Sequence, residues 1–123
     1  MDSDPDIHPV CSRLYDDGYF HLRNGRFVEA LECLQQSWAL KEHQGTANRI
    51  GQTLQALNRR EESHGWFARA YELNPRNNMM AMAHASSLHE QGHIQEAIKV
   101  LIALVKQNPT YKPARNLLAA LQS

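Results

Sequence analysis

His89-Glu90-Gln91-Gly92-His93 fits the pattern H-E-x-x-H, in which two histidines one helical turn apart hold zinc and the glutamate acts as general base. That chemistry needs one unbroken helix through both histidines, and Gly92 lies between them. A well-spaced third ligand is lacking, because Glu96 follows too closely. The residues predict a chance match lying across a turn, not a zinc hydrolase. The seven histidines are His8, His21, His43, His64, His84, His89 and His93, spread along the chain without ligand spacing. Cys11 and Cys33 lack neighbours that would activate a nucleophile. They are expected on opposite helices of one hairpin, Cys11 facing the region near residue 39, about 12 Å from Cys33 at 1.5 Å per residue. A disulfide across that gap is not expected. No glycine-rich phosphate loop and no G-x-S-x-G is present. Arg59-Arg60 beside Glu61-Glu62 reads as a solvated turn. No catalytic residue, metal or cofactor is predicted, and the chain is read as a non-enzyme.

The elements that would position any binding residues follow from composition and period. The chain has 123 residues, 42% of them hydrophobic, which suits one domain with a core. Thirteen basic and thirteen acidic residues cancel, which argues against a sequence-wide attraction to nucleic acid or anionic membrane. Residues 1–43 nevertheless hold eight acids and four bases. No apolar run approaches the ~18 residues of a membrane span. Residues 1–10 carry Asp2, Asp4 and Asp6 without an apolar run, so they predict a disordered acidic segment and no secretory signal. A cytoplasmic location is the corresponding expectation.

Internal repetition organises the rest. Asn74-Pro75 recurs as Asn108-Pro109, and Gly25, Asn58 and Gly92 fall at nearly the same spacing. Each of these three follows one amphipathic stretch and precedes another, and Gly and Asn tolerate the left-handed conformation that ends a helix. Phe27, Ala30, Leu31, Leu34 and Trp38 form one helical stripe. Ile94, Ala97, Ile98, Leu101 and Val105 form another, and Trp66, Phe67, Ala70, Tyr71 and Leu73 a third. Three helical hairpins over residues 11–43, 44–77 and 78–111 are predicted, followed by a closing helix over 112–123 with Ala114, Leu117, Leu118 and Leu121 on one side.

The pattern resembles the tetratricopeptide repeat, whose unit is 34 residues long. Gly18, Gly51 and Ala85 match its small first-helix residue; Ala30, Ser63 and Ala97 match its second-helix alanine. Leu34, Phe67 and Leu101 stand at its large inter-helix position. The first unit departs from the pattern: it is one residue short and reads Lys41-Glu42-His43 where the others place Pro75 and Pro109. The resemblance implies an all-α, right-handed solenoid of three hairpins plus a capping helix, forming a single domain over residues 11–123. His84 stands where the family usually has leucine, so a partly buried histidine is expected there.

The resemblance also implies a function: capture of a partner's peptide or helix on a concave face lined by the first helix of each hairpin. Projected onto this chain, the expected partner-binding residues are Tyr15, Tyr19, Asn48, Arg49, Gln52, Met79, Met82 and Ser86. Tyr15, Tyr19, Met79 and Met82 would give apolar contact, and Asn48, Arg49, Gln52 and Ser86 hydrogen bonds. Co-chaperones of the family clamp a C-terminal carboxylate with several lysines, asparagines and an arginine. At those positions this chain has Tyr15, Tyr19, Arg49, Met79 and Ala83, so that clamp is not expected. A small adaptor or scaffold, or a chaperone like those of type III secretion, fits the letters better. The alternative is a self-associating assembly component, since Phe20, Leu22 and Phe27 have no preceding repeat to cover them.

Overall fold

The computed structural model describes residues 7–123, with side chains from residue 9 onward. The described residues contain seven helices and no strand. They are α1 (Ile7–Arg23), α2 (Phe27–Leu40), α3 (Gln44–Ala56), α4 (Arg60–Leu73), α5 (Asn78–Glu90), α6 (Ile94–Gln107) and α7 (Lys112–Gln122). None is long and apolar enough to cross a membrane. The expected acidic segment differs at its end: α1 already begins at Ile7, so residues 7–10 are helical, and residues 1–6 lie outside the described part. Contacts divide the chain into two compact units, Met1–Ala70 and Tyr71–Ser123.

The helices end where the period places turn residues. Gly25, Asn58 and Gly92 have φ of 75°, 62° and 84°, the left-handed region that glycine and asparagine enter most readily. The amide of Arg26 then reaches back to the His21 carbonyl, that of Arg59 to Leu54 and that of His93 to Leu88, closing the three helix ends in the same way. The first repeat lacks the proline at its end, and His43 takes over the local work. Its Nδ1 accepts the Gly45 amide at 3.0 Å and caps α3. Asn77 caps α5 in the same manner, its Oδ1 accepting the Met80 amide at 3.0 Å.

In the first unit, Leu31, Leu34, Ile50 and Leu54 are buried together, with Tyr15, Trp38, Leu57 and Trp66 packed around them. Each aliphatic side chain so buried contributes about 1.5–3 kcal/mol. The close approach of paired helices is set by missing side chains. A Cβ on Gly18 would lie 2.6 Å from Leu34 Cγ, and one on Gly51 would lie 2.7 Å from a ring carbon of Phe67. Buried hydroxyls in this unit bond to backbone: Ser37 Oγ donates to the Cys11 carbonyl at 3.0 Å, and Thr53 Oγ1 to the Arg49 carbonyl at 2.7 Å. Cys11 therefore faces Ser37, two residues before the position that helix arithmetic suggests. Trp38 and Trp66 meet edge to face with centroids 5.0 Å apart.

In the second unit the core is Ala81, Ala85, Leu101, Leu104 and Ala114. Leu117, Leu118 and Leu121 of α7 pack against it, as the stripe predicts for a closing helix. His84 occupies the expected half-buried position. Its ring stacks on Tyr71 with centroids 4.9 Å apart, and its buried Nδ1 has no hydrogen-bond partner. Burial pushes its pKa below the usual histidine value, against the attraction of Glu72 and Glu96.

Two measurements check this packing. Gly18→Ala should destabilise the chain by about 1–3 kcal/mol through overpacking against Leu34, although alanine is the better helix former. Gly65→Ala, where a Cβ meets nothing within 4 Å, should stabilise by about 0.5–1 kcal/mol. Denaturant midpoints giving both variants the same sign would contradict the close-approach account. Because the folded state lowers the His84 pKa, the folded chain resists that proton more than the unfolded chain does. Stability should fall as pH drops below the ordinary histidine value near 6.5. His84→Leu should lose part of that acid sensitivity, read as a smaller drop in thermal midpoint from pH 7.5 to pH 5.

Candidate functional site

Tyr15 and Tyr19 are four residues apart on α1 and so share one face of it, with Arg23 four further on. Arg49 and Gln52 face them from α3. The Arg49 Nε donates to Tyr15 Oη at 3.3 Å, and its Nη1 donates to Gln52 Oε1 at 2.9 Å. The guanidinium carbon lies 4.2 Å from the centre of the Tyr19 ring, on which Arg23 also sits, at 5.7 Å. Four of the sequence-predicted binding residues, Tyr15, Tyr19, Arg49 and Gln52, thus form one connected constellation. All four are half-buried, so each offers part of its surface to solvent.

Two clefts lie along α1 beside this constellation. One, about 370 Å³, is lined by Tyr15 and Asp16 with Ser12, Lys41, His43 and Thr46. The other, about 360 Å³, is lined by Asp16, Tyr19, Phe20, Arg23 and Asn24. Sequence reasoning missed Lys41 and His43 as cleft residues. The signal for them was the short link Lys41-Glu42-His43 between α2 and α3, one residue fewer than the proline-bearing links 74–77 and 108–111.

Asn48 differs from expectation. It is 4% exposed, and its Oδ1 has no hydrogen-bond partner, so it does not stand open on the surface as a ready hydrogen-bonding group. In the second unit, Met79, Met82 and Ser86 fall on one side of α5 by spacing. Met79 is 57% exposed and Ser86 is exposed, whereas Met82 is half-buried against the Ala81 and Leu101 core. Met82 is therefore a packing residue first, with only part of its thioether surface available.

The residues that suggested catalysis are placed otherwise. α5 ends at Glu90 and α6 starts at Ile94, so the histidines of the pentapeptide are separated by the Gly92 turn. His93 Nδ1 lies 2.8 Å from Glu96 Oε1. Among the described residues no group of three or more His, Cys, Asp or Glu could hold a metal ion. Burial, then the charges of Asp17 and Glu32, raise the Cys33 pKa, which opposes thiolate formation. Arg59 meets Glu62 through two nitrogens at 2.7 and 2.8 Å, an exposed pair within the turn into α4.

No sequence-family model matches the chain, and no curated protein matches it. Solved structures do. The second TPR domain of human RPAP3, solved with the HSP70 peptide SGPTIEEVD, superposes with a TM-score of 0.82 at 16% identity, covering 95% of this chain and 98% of that one. The TPR domain of Arabidopsis OM64 gives 0.80 at 11% identity, over 94% and 96%. The Yersinia enterocolitica type III secretion chaperone SycD, solved with a peptide of the translocator YopD, gives 0.79 at 14% identity, over 90% and 91%. Likeness at such identities is a likeness of backbone, and it agrees with the seven helices and the three left-handed turns described above. The chain has the tetratricopeptide-repeat fold, three helix pairs followed by a closing helix.

Proposed function

We propose that the chain is a non-enzymatic module that binds a peptide or helical segment of another protein. The observation that carries this reading is the constellation of Tyr15, Tyr19, Arg49 and Gln52. Its aromatic and hydrogen-bonding groups hold one another in place before any partner arrives, so little side-chain entropy is lost on binding. The reading is supported by the peptides present in similar folds, those of HSP70 and HSP90 with RPAP3 domains and that of YopD with SycD. The second unit, taken by itself, offers exposed Met79 and Ser86 on one side of α5 as an adaptable apolar contact and a hydrogen-bonding group. Asn48 takes part only if a partner's N–H reaches its unmatched carbonyl oxygen. Service as an adaptor or chaperone, in the cytoplasm, is the role that suits such a module.

A second reading, self-association, is favoured by the first hairpin. Phe20 and Val28 there are 58% and 60% exposed, large apolar groups of a kind that marks contact surfaces when they cluster.

Immobilised chain exposed to native lysate should retain a specific polypeptide. Tyr19→Glu should cut its retention at least tenfold, and Met79→Glu severalfold, while far-UV circular dichroism is unchanged. Met82→Glu is a poor test, since a charge against the core would unfold the second unit. Retention indifferent to both Tyr19 and Met79 would reject the site. For the second reading, light scattering over a hundredfold concentration range should show a rising mass that Phe20→Ser with Val28→Ser suppresses. A constant monomer mass would remove self-association.

A further inference from the structure

We infer that Arg49 is a charge-reading residue: its guanidinium selects partner segments that carry an aspartate or glutamate side chain. The inference rests on the peptide-binding reading and names the partner's chemistry.

Arg49 is half-buried, and among the described residues no carboxylate lies within 4 Å of its guanidinium. Taking a cation partly out of water without a counter-charge is costly, and proteins ordinarily relieve that cost by pairing it. Here its protein contacts are neutral. Tyr15 Oη and Gln52 Oε1 each take one N–H, and the face of Tyr19 lies 4.2 Å from the guanidinium carbon. A guanidinium has five N–H donors in a fixed fork. Two are spent and three remain, and the fork is already oriented by its neighbours. That is the arrangement a carboxylate fits, through charge-assisted hydrogen bonds. Arg23, on the same tyrosine ring at 5.7 Å, adds positive potential. Asp16, which lines both clefts, limits it, so the site suits one carboxylate in preference to a run of them.

The geometry commits to a side chain and not to a chain end. The two clefts extend along α1 from Cys11 to Asn24 and meet at Asp16, about 20 Å at the helical rise. That length takes about six extended residues. Arg49 lines neither cleft but touches Tyr15 of one and Tyr19 of the other, so a segment lying along both passes the guanidinium in mid-chain. Exposed Phe20 at one end gives a flanking apolar residue a place to sit.

The test uses the whole chain and a phage-displayed library of random ten-residue peptides. Selected sequences are resynthesised with amidated C-termini, each acid also being made as its amide. The expected result is that binders share one acidic position and that Glu→Gln there weakens wild-type affinity about tenfold. The same change should matter less than twofold to Arg49→Gln, with Arg49→Lys between them. Amidation of the C-terminus should leave affinity unchanged. Binders with no acid preference would overturn the inference and leave the peptide-binding reading standing. Loss of binding on amidation would overturn it in favour of a chain-end carboxylate. Absence of any binder would remove the peptide-binding reading itself. Should Arg49→Gln fail to fold, the wild-type comparison of acid and amide still decides.

Discussion

Two paired helices can come no closer than the bulkiest group between them permits, and in the first unit that group is absent by design of the letters. Gly18 lies so near Leu34, and Gly51 so near Phe67, that any Cβ would intrude on a side chain already buried. Close approach lets Leu34 and Phe67 be nearly or wholly excluded from water. Tyr15 of α1 and Arg49 of α3 then meet across neighbouring helix pairs, at 3.3 Å.

The polar groups inside the first unit obey the same economy. Ser37 and Thr53 are fully buried, and each gives its hydroxyl hydrogen to a backbone carbonyl, so neither disturbs the apolar layer. Arg49, a charge held by neutral groups, departs from this, as do Asn48 and His21, each with a buried polar atom lacking a partner. His84 is a milder case in the second unit, stacked on Tyr71 with an unmatched nitrogen. Departures from full pairing are where a helical repeat can carry function or acid sensitivity, because elsewhere its side chains are committed to the core.

The motif that looked most like chemistry shows how context overrides spelling. H-E-x-x-H is a statement about one face of a helix, and the chain breaks its helix at Gly92, with φ of 84°. His93 becomes the first residue of a new segment and turns to Glu96. The left-handed turn that ends a hairpin decides the matter, and the same turn was visible from Gly25 and Asn58 at their repeating distance.

Much was legible without coordinates. Turn residues at a fixed period, stripes of Phe27, Leu31 and Leu34 or of Ala97 and Leu101, and the small residues between them determined three helix pairs and a closing helix, because such constraints are local and repeat. The same spacing put Tyr15 with Tyr19, and Arg49 with Gln52, on common faces. Tertiary structure alone decided which faces meet and how far each residue is covered. It brought Arg49 onto Tyr19, buried Asn48, packed half-buried Met82 against the core and placed Lys41 and His43 in a cleft. Those outcomes depend on distances of a few ångströms between residues some 30 positions apart, and helical periodicity fixes the direction of a side chain but not what it will find there.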